Sequence, residues 1–258
     1  MTTASENKVA LVTGGAGGIG SAICQKFAAA GYSVIVTYNR NAEKAQAFVS
    51  GLAGANHLAV HAPVDDTAAL SKLAAFVAER YGKLDVLVNN AGVTTPVPHD
   101  DLDGLSDEWI DRILTTNVRG TFAMIRACKG LLLAAHPNTK HETPDTALVV
   151  NISSVAAITG IGSNVMYCAS KAAIDSMTRS LARALAPGIR VVSVSPGWVL
   201  GEYAKSIEPA YLKMQEDLTP LGRLATPEDV ANTVFALATH LTFTTGSIIP
   251  VDGGRPLK

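Results

Sequence analysis

Seven short runs rich in valine and isoleucine, separated by longer alanine-rich amphipathic stretches, leave this chain few architectures to choose from. The runs cover residues 9–13, 33–38, 57–61, 86–89, 147–152, 191–195 and 247–251. They are mostly apolar at both alternate positions, so each strand needs a cover on both faces. Strands that alternate with helices pair in parallel, because each crossover lays a helix on one face of the sheet. The expectation is an α/β fold, a doubly wound parallel sheet of about seven strands with helices on both faces and ligands gathering at the strands' carboxyl ends.

Helical periodicity predicts helices over 18–30, 42–52, 67–81, 107–135, 164–186 and 227–239, with a break in the fourth near 118–121. Two segments lack a clean period. Residues 136–146 are polar with two prolines and read as a surface excursion. Residues 200–226 carry Tyr203, Ile207, Tyr211, Leu212 and Met214 between loop signals, the pattern of a lid over a site.

With 258 residues, 48% hydrophobic and 17% charged, the chain suits a single domain, 1–258, that buries a substantial core. Lysine plus arginine number 21 against 22 acids, so nothing in the net charge of −1 attracts nucleic acid or an anionic membrane. Cys24, Cys128 and Cys168 are odd in number and widely spaced, which suggests neither a disulfide framework nor a zinc site and fits a reducing compartment. The first eight residues are polar, and no apolar run approaches the roughly 20 residues of a membrane span. A cytoplasmic protein with a small-molecule partner is expected.

The segment 13–20, Thr-Gly-Gly-Ala-Gly-Gly-Ile-Gly, follows the first strand and opens the first helix. Backbone amides and the helix dipole can receive a pyrophosphate there. Its glycines fit three spacings, Gly15/Gly17/Gly20, Gly14/Gly17/Gly20 and Gly14/Gly18/Gly20, and spacing alone does not choose among them. At the end of the second strand an acid would bond the ribose hydroxyls of NAD, and a base would meet the 2′-phosphate of NADP. The chain reads Thr37-Tyr38-Asn39-Arg40, with no carboxylate and with Arg40 in reach, which favours NADP over NAD.

Tyr167 and Lys171 stand four residues apart, thirteen residues after Ser154. Residues at i and i+4 share a helix face, so the ammonium can lie beside the phenol and favour its ionised form. An unperturbed tyrosine ionises near pH 10, and matching it to pH 7 takes roughly 4 kcal/mol of differential stabilisation. A neighbouring cation supplies part of it.

With Thr13 to Gly20, Asn89-Asn90-Ala91-Gly92, Asn117, Ser154, Tyr167, Lys171 and Pro196-Gly197 in this order, nearly the whole chain resembles the single-domain short-chain dehydrogenases/reductases. The segments 221–230, 245–246 and 251–254 are similar to that family's carboxyl-terminal third. The resemblance implies a Rossmann-type fold and selects Gly14, Gly18 and Gly20 as the family glycines, with Ile19 between them. It implies that Tyr167 is the acid or base that protonates a carbonyl oxygen or deprotonates an alcohol, coupled to hydride transfer with NADP or NAD. Lys171 would depress the tyrosine pKa and bond the nicotinamide ribose. Ser154, the better spaced of the pair with Ser153, would hold the substrate oxygen. Asn117 is similar to the asparagine that anchors a water between the lysine and solvent. Among cofactor contacts the resemblance implies Asp65 at the adenine, Asn89, Ala91 and Gly92 at its ribose, and Pro196, Gly197 and Val199 at the carboxamide. Gly201 stands where many relatives have threonine. Cys168 reads as a packing residue.

Substrate choice is thinner. Thr94, Thr95, Val97, Ile158, Trp198 and Tyr203 are candidate pocket walls by position, and a small carbonyl compound or secondary alcohol is the first expectation. Relatives that reduce 3-oxoacyl chains on a carrier protein present basic residues where this chain has Asp145 and Pro187-Gly188, with Lys140 and Arg190 as the candidate compensating bases. A non-catalytic dinucleotide sensor is a further alternative, opposed by the intact four-residue set. The alanine-rich helices 118–135 and 164–186 resemble those that pair between subunits, implying a homotetramer or else a dimer.

Overall fold

A computed structural model describes residues 8–136, 146–201 and 207–257. Its centre is a seven-stranded sheet, parallel throughout, in the order β3-β2-β1-β4-β5-β6-β7. The strands are β1 (Val9–Thr13), β2 (Ser33–Tyr38), β3 (Leu58–His61), β4 (Val86–Asn89), β5 (Ala147–Ile152), β6 (Ile189–Pro196) and β7 (Ile248–Val251). Each lies within three residues of the expected bounds. The order reverses between β1 and β4, where the crossovers change from one side to the other and open a crevice at the carboxyl ends.

Strand alternation divides the core into two layers. Ala10 and Val12 of β1 point toward α1 (Gly18–Ala29) and α9 (Pro227–Thr239), where Ile23, Phe27, Val234 and Leu237 are fully buried. Leu11 and Leu87 point the other way, onto α3 (Thr67–Tyr81) and α5 (Thr121–Ala135), against Leu70, Leu73, Met124 and Leu132. Burying a side chain of this size contributes about 1.5–3 kcal/mol. Helix α2 (Ala42–Ser50) flanks β2 and β3, and α7 (Val165–Leu185) covers β6.

Three features depart from the expected pattern. The fourth helix divides into α4 (Asp107–Ile113), a π-helical turn (Leu114–Gly120) and α5, so the interruption begins earlier than 118. In that wide turn the Thr121 N–H bonds Val118 O, and the Thr121 hydroxyl donates instead to Asn117 O at 2.7 Å. The short helix α6 (Ala156–Thr159) follows β5. Residues 209–217 form α8 (Pro209–Asp217), begun by proline at its first turn, where the missing N–H costs nothing. Tyr203, Lys140, Asp145, part of the expected lid and most of the excursion at 136–146 lie outside the described residues.

Candidate active site

Two adjoining cavities of about 380 and 420 Å³ open along the carboxyl ends of the strands. The first is lined by Gly14 and Gly17, the β2 end from Thr37 to Arg40, Ala62 to Asp65, and Ala91. The second is lined by Gly18, Ile19, Ser154, Tyr167, Lys171, Pro196, Gly197, Val199 and Gly201. Asn90, Gly92 and Val93 belong to both, so the two form one elongated cleft.

The glycine turn sits at the waist of this cleft. Gly14 and Gly18 have φ of +62° and +47°, a region side-chain-bearing residues avoid. A Cβ at Gly20 would come within 2.6 Å of Gly14 O, so helix and turn approach this closely only with glycine there. Helix α1 starts at Gly18 with no side-chain cap and no acid in its first turn, and nothing stands within 4 Å of where Cβ atoms would lie at Gly17 and Gly18. The N–H groups that begin a helix, with no side chain competing for them, suit a pyrophosphate. The residues present could therefore hold a dinucleotide along the cleft, with Asn39, Arg40 and Asp65 lining one half and Tyr167 the other.

At that end Asn164 caps α7, its Oδ1 accepting the Tyr167 N–H at 2.7 Å. Lys171, one turn on, is 5% exposed; its Nζ donates to Ile152 O at 2.8 Å and lies 5.6 Å from the Tyr167 ring centre. Burial lowers its pKa to about 8, against the opposing charge of Asp175. Ser154 lies past the end of β5, in a turn held to β6 by Ser153 N–H to Val194 O and Val155 N–H to Pro196 O. Its Oγ accepts the Ala156 N–H at 3.2 Å. Ser153, by contrast, is buried and donates to Lys171 O. Ser154, Tyr167 and Lys171 thus come together at one wall.

Asn117 stands behind that wall and is fully buried. Its Oδ1 accepts Val93 N–H, and its Nδ2 donates to Val93 O and Ser170 Oγ. A Cβ on Gly92 would lie 3.3 Å from Asn117 Oδ1 and 3.8 Å from Lys171 Nζ, so glycine leaves space beside both.

Asn89 is not brought to the cleft. It is buried at the end of β4 and donates to Asn151 Oδ1 at 2.9 Å. Asn90 takes the place expected for it: Asn90 Nδ2 donates to Thr13 O, while the Thr13 hydroxyl receives the N–H groups of Asn90 and Ala91. Gly20 is buried behind the turn and lines neither cavity.

Two further positioning residues were not visible beforehand. Asn164 also donates from Nδ2 to Thr95 O at 2.7 Å and Thr94 Oγ1 at 3.2 Å, fastening the loop after β4 to the start of α7. The same seam carries Val97 N–H to Ser163 O and a Thr94 to Ser163 hydroxyl contact. Arg119, in the π-turn, donates to Asp65 O and Thr67 Oγ1, both at 2.9 Å, and so fixes the Asp65 loop. Among the expected walls Thr94 lines the cleft, Ile158 is exposed, and Trp198 packs edge-on against Tyr211 of α8. Burial raises the Cys168 pKa, which suits a packing residue.

Among the described residues no cluster of His, Cys, Asp or Glu could hold a metal, and no helix is long and apolar enough to cross a membrane.

The family model described as Enoyl-(Acyl carrier protein) reductase matches residues 14–255. The chain is 37% identical over 258 residues, 99% of each protein, to one provisionally named ketoacyl reductase 2 of the granaticin polyketide synthase in Streptomyces violaceoruber. A Brucella melitensis structure described as a short-chain dehydrogenase/reductase, glucose/ribitol dehydrogenase, superposes with a TM-score of 0.86 at 31% identity, covering 97% of both chains. A 3-ketoacyl-(acyl-carrier-protein) reductase from the same organism, complexed with NADH, gives 0.85 at 30% identity, covering 97% of this chain and 98% of that one. The chain belongs to the short-chain dehydrogenase/reductase family, the nicotinamide-dependent oxidoreductases that interconvert carbonyl and alcohol groups.

Proposed function

We propose that this chain interconverts a small free carbonyl compound and its secondary alcohol, with NADP preferred and Tyr167 as acid and base. The observation that carries the reading is the wall shared by Ser154, Tyr167 and the buried Lys171 at one end of a cleft whose other end holds Arg40. Bound there, the cofactor supplies or accepts hydride at its nicotinamide ring. Tyr167 donates its proton to the oxygen in reduction and removes it in oxidation. Ser154, whose Oγ already accepts the Ala156 N–H, directs its own proton at the same oxygen. Lys171 stabilises the tyrosinate and bonds the ribose. Asn117 holds both backbone groups of Val93 and completes the set as the asparagine that anchors a water between lysine and solvent.

The NADP preference rests on the charged lining of the adenosine end, where Arg40 and Arg112 outnumber Asp65. Gly14, Gly18 and Ile19 form the pyrophosphate turn with Gly20 packed behind it, Asp65, Ala91 and Gly92 the adenosine wall, and Pro196, Gly197 and Val199 the carboxamide wall. The whole chain works as one domain in the cytoplasm, with 200–226 as a lid; Gly201 of that segment lines the second cavity, and Tyr211 packs against Trp198. A homotetramer, or a dimer, pairs α5 and α7, on which Phe122, Leu133 and Val165 are exposed.

A second reading, reduction of a 3-oxoacyl group on a carrier protein, is favoured by the name of one solved relative, the 3-ketoacyl-(acyl-carrier-protein) reductase. It loses one of its compensating bases, because Arg190 is buried. The test is a panel of ketones, sugars and acyl thioesters, carrier-bound and free, followed by nicotinamide absorbance with the wild type and Tyr167→Phe. Turnover of a free carbonyl, lost by about 10²–10⁴-fold in Tyr167→Phe while cofactor binding persists, supports the proposal. Comparable turnover in the variant refutes the role of Tyr167, and consumption of carrier-bound substrate alone transfers the case to the second reading.

A further inference from the structure

Helix α7 turns a second ionisable side chain toward the sheet. Asp175, one turn beyond Lys171, is 4% exposed. On β6, Ser193 Oγ lies 3.0 Å from Asp175 Oδ1 and 3.2 Å from Asn151 O, so its single proton serves one of them at a time. Asp175 Oδ2 has no hydrogen-bond partner among the described residues. A carboxylate so far out of water, with at most one donor, needs an opposite charge nearby.

Few groups are placed to supply one. From the strands, the polar layer under α7 receives Asn89, Asn151, Ser153, Ser193 and Ser195, none of them charged. From the π-turn it receives Asn117, while Arg119 is exposed and bonded to Asp65 O and Thr67. The charged residues of α4, Asp107, Glu108, Asp111 and Arg112, are exposed. On α7, Arg179 follows Asp175 by one turn and is also exposed, and Tyr167 stands two turns before. Lys171 remains. It is buried on the same helix face at i−4, and Asp175 is the charge that opposes its desolvation.

We propose that Asp175 is the buried counter-charge of Lys171, a positioning residue that holds the ammonium protonated at neutral pH and through it tunes Tyr167. The charge pairing is a property of the chain without cofactor; only its effect on turnover rests on the function proposed above.

The decisive experiment is a thermal-unfolding cycle on the cofactor-free protein: wild type, Asp175→Asn, Lys171→Met and the double variant. Asparagine keeps the shape and the acceptor for Ser193 and removes the charge. With Lys171 present, Asp175→Asn should lower Tm by about 2–4 °C. In the Lys171→Met background the same change should raise Tm, because there it removes an uncompensated buried charge. Equal changes in both backgrounds overturn the pairing. If Asp175→Asn fails to fold, Asp175→Ser takes its place in the cycle.

Stability against pH is an independent readout. Lys171 titrates near 8 when folded, against 10.5 as the ordinary value. The unfolded chain therefore binds more protons between these limits, and stability rises with pH across the window. Asp175→Asn should move the onset of that rise to lower pH, and an onset left in place overturns the proposal. Turnover is the separate arm. A wild type inactive on every carbonyl sinks the proposed function while the thermal cycle still judges the pair. Given activity, Asp175→Asn should lower kcat several-fold at neutral pH and regain it as pH falls. A uniform loss at every pH counts against the proposal.

Discussion

Asn117 grips both backbone groups of Val93, accepting its N–H at 2.8 Å and donating to its C=O at 3.0 Å, as a neighbouring strand would. The π-turn supplies the side chain for this at a point where no strand runs, and it leaves Nδ2 able to reach Ser170 as well. Val93 borders both halves of the cleft, so the grip sets the floor on which substrate and cofactor would meet.

Replacing Asn117 by alanine leaves the N–H and C=O of half-buried Val93 without their partner, at about 1 kcal/mol or more each, while Ser170 Oγ keeps its bond to Tyr167 O. The expected loss is about 2 kcal/mol in urea unfolding, with turnover falling at least roughly tenfold, the factor that about 1.4 kcal/mol of misplacement represents. Asn117→Asp keeps the acceptor for Val93 N–H but sets a buried carboxylate oxygen against Val93 O, so it should be no more stable than alanine. An alanine variant as stable as wild type would show that the grip carries no stability.

Arg40 is exposed on the lining of the first cavity, just past β2, a strand that carries no acid. A charge-assisted bond to a 2′-phosphate contributes about 1.5–3 kcal/mol. Arg40→Ala should therefore weaken NADPH binding by roughly 10-fold or more, since 1.4 kcal/mol is a factor of ten, and leave NADH nearly unchanged. Fluorescence titration of both cofactors checks this. Equal losses would mean that Arg40 does not read the phosphate.

Asn164 does two jobs with one amide, and two substitutions separate them. Asn164→Asp keeps the cap on the Tyr167 N–H and removes the donors to Thr94 and Thr95. It should raise KM for the carbonyl with little change in cofactor affinity, because only the substrate side of the seam loosens. Asn164→Ala also loses the cap, which costs about 1 kcal/mol more in thermal or urea unfolding. Identical KM values for Asn164→Asp and wild type would assign the residue to the cap alone.

Much of this was legible in the sequence where the signal is local. Strand β1 and helices α3 and α9 carry their own punctuation: Asp66 accepts from Ala68 and Ala69 N–H groups, Gly82 ends α3 at φ +72°, and Thr226 with Asp229 closes a capping box before α9. What escaped depends on partners far along the chain. Asn164 meets Thr94 across seventy positions, and the π-turn answers to Val93. The exchange of Asn89 for Asn90 has a different cause. Every residue of β4 is buried, so its apolar run has no polar face from which to read which asparagine turns to the cleft. Helix α8 mixes polar and apolar residues without a clear stripe, and its one buried side chain, Gln215, is polar and bonded to Arg255.

Arg190 decides between a carrier-docking base and a structural one. It is 7% exposed at the start of β6, and its guanidinium donates to Leu237 O, Leu241 O and Thr244 O at 3.0–3.2 Å and to Thr146 Oγ1 at 2.9 Å. Leu237 O lies in the last turn of α9, where a cation also meets the negative end of the helix dipole. A side chain engaged in this way is not available to an acidic carrier surface. Arg190→Met should cost about 3 kcal/mol or more in urea unfolding, since several carbonyls lose a charged donor, while the ratio of turnover on carrier-bound and free acyl thioesters stays as in the wild type. A stable Arg190→Met protein with a selective loss on the carrier-bound substrate would return Arg190 to the docking surface and the 3-oxoacyl reading with it.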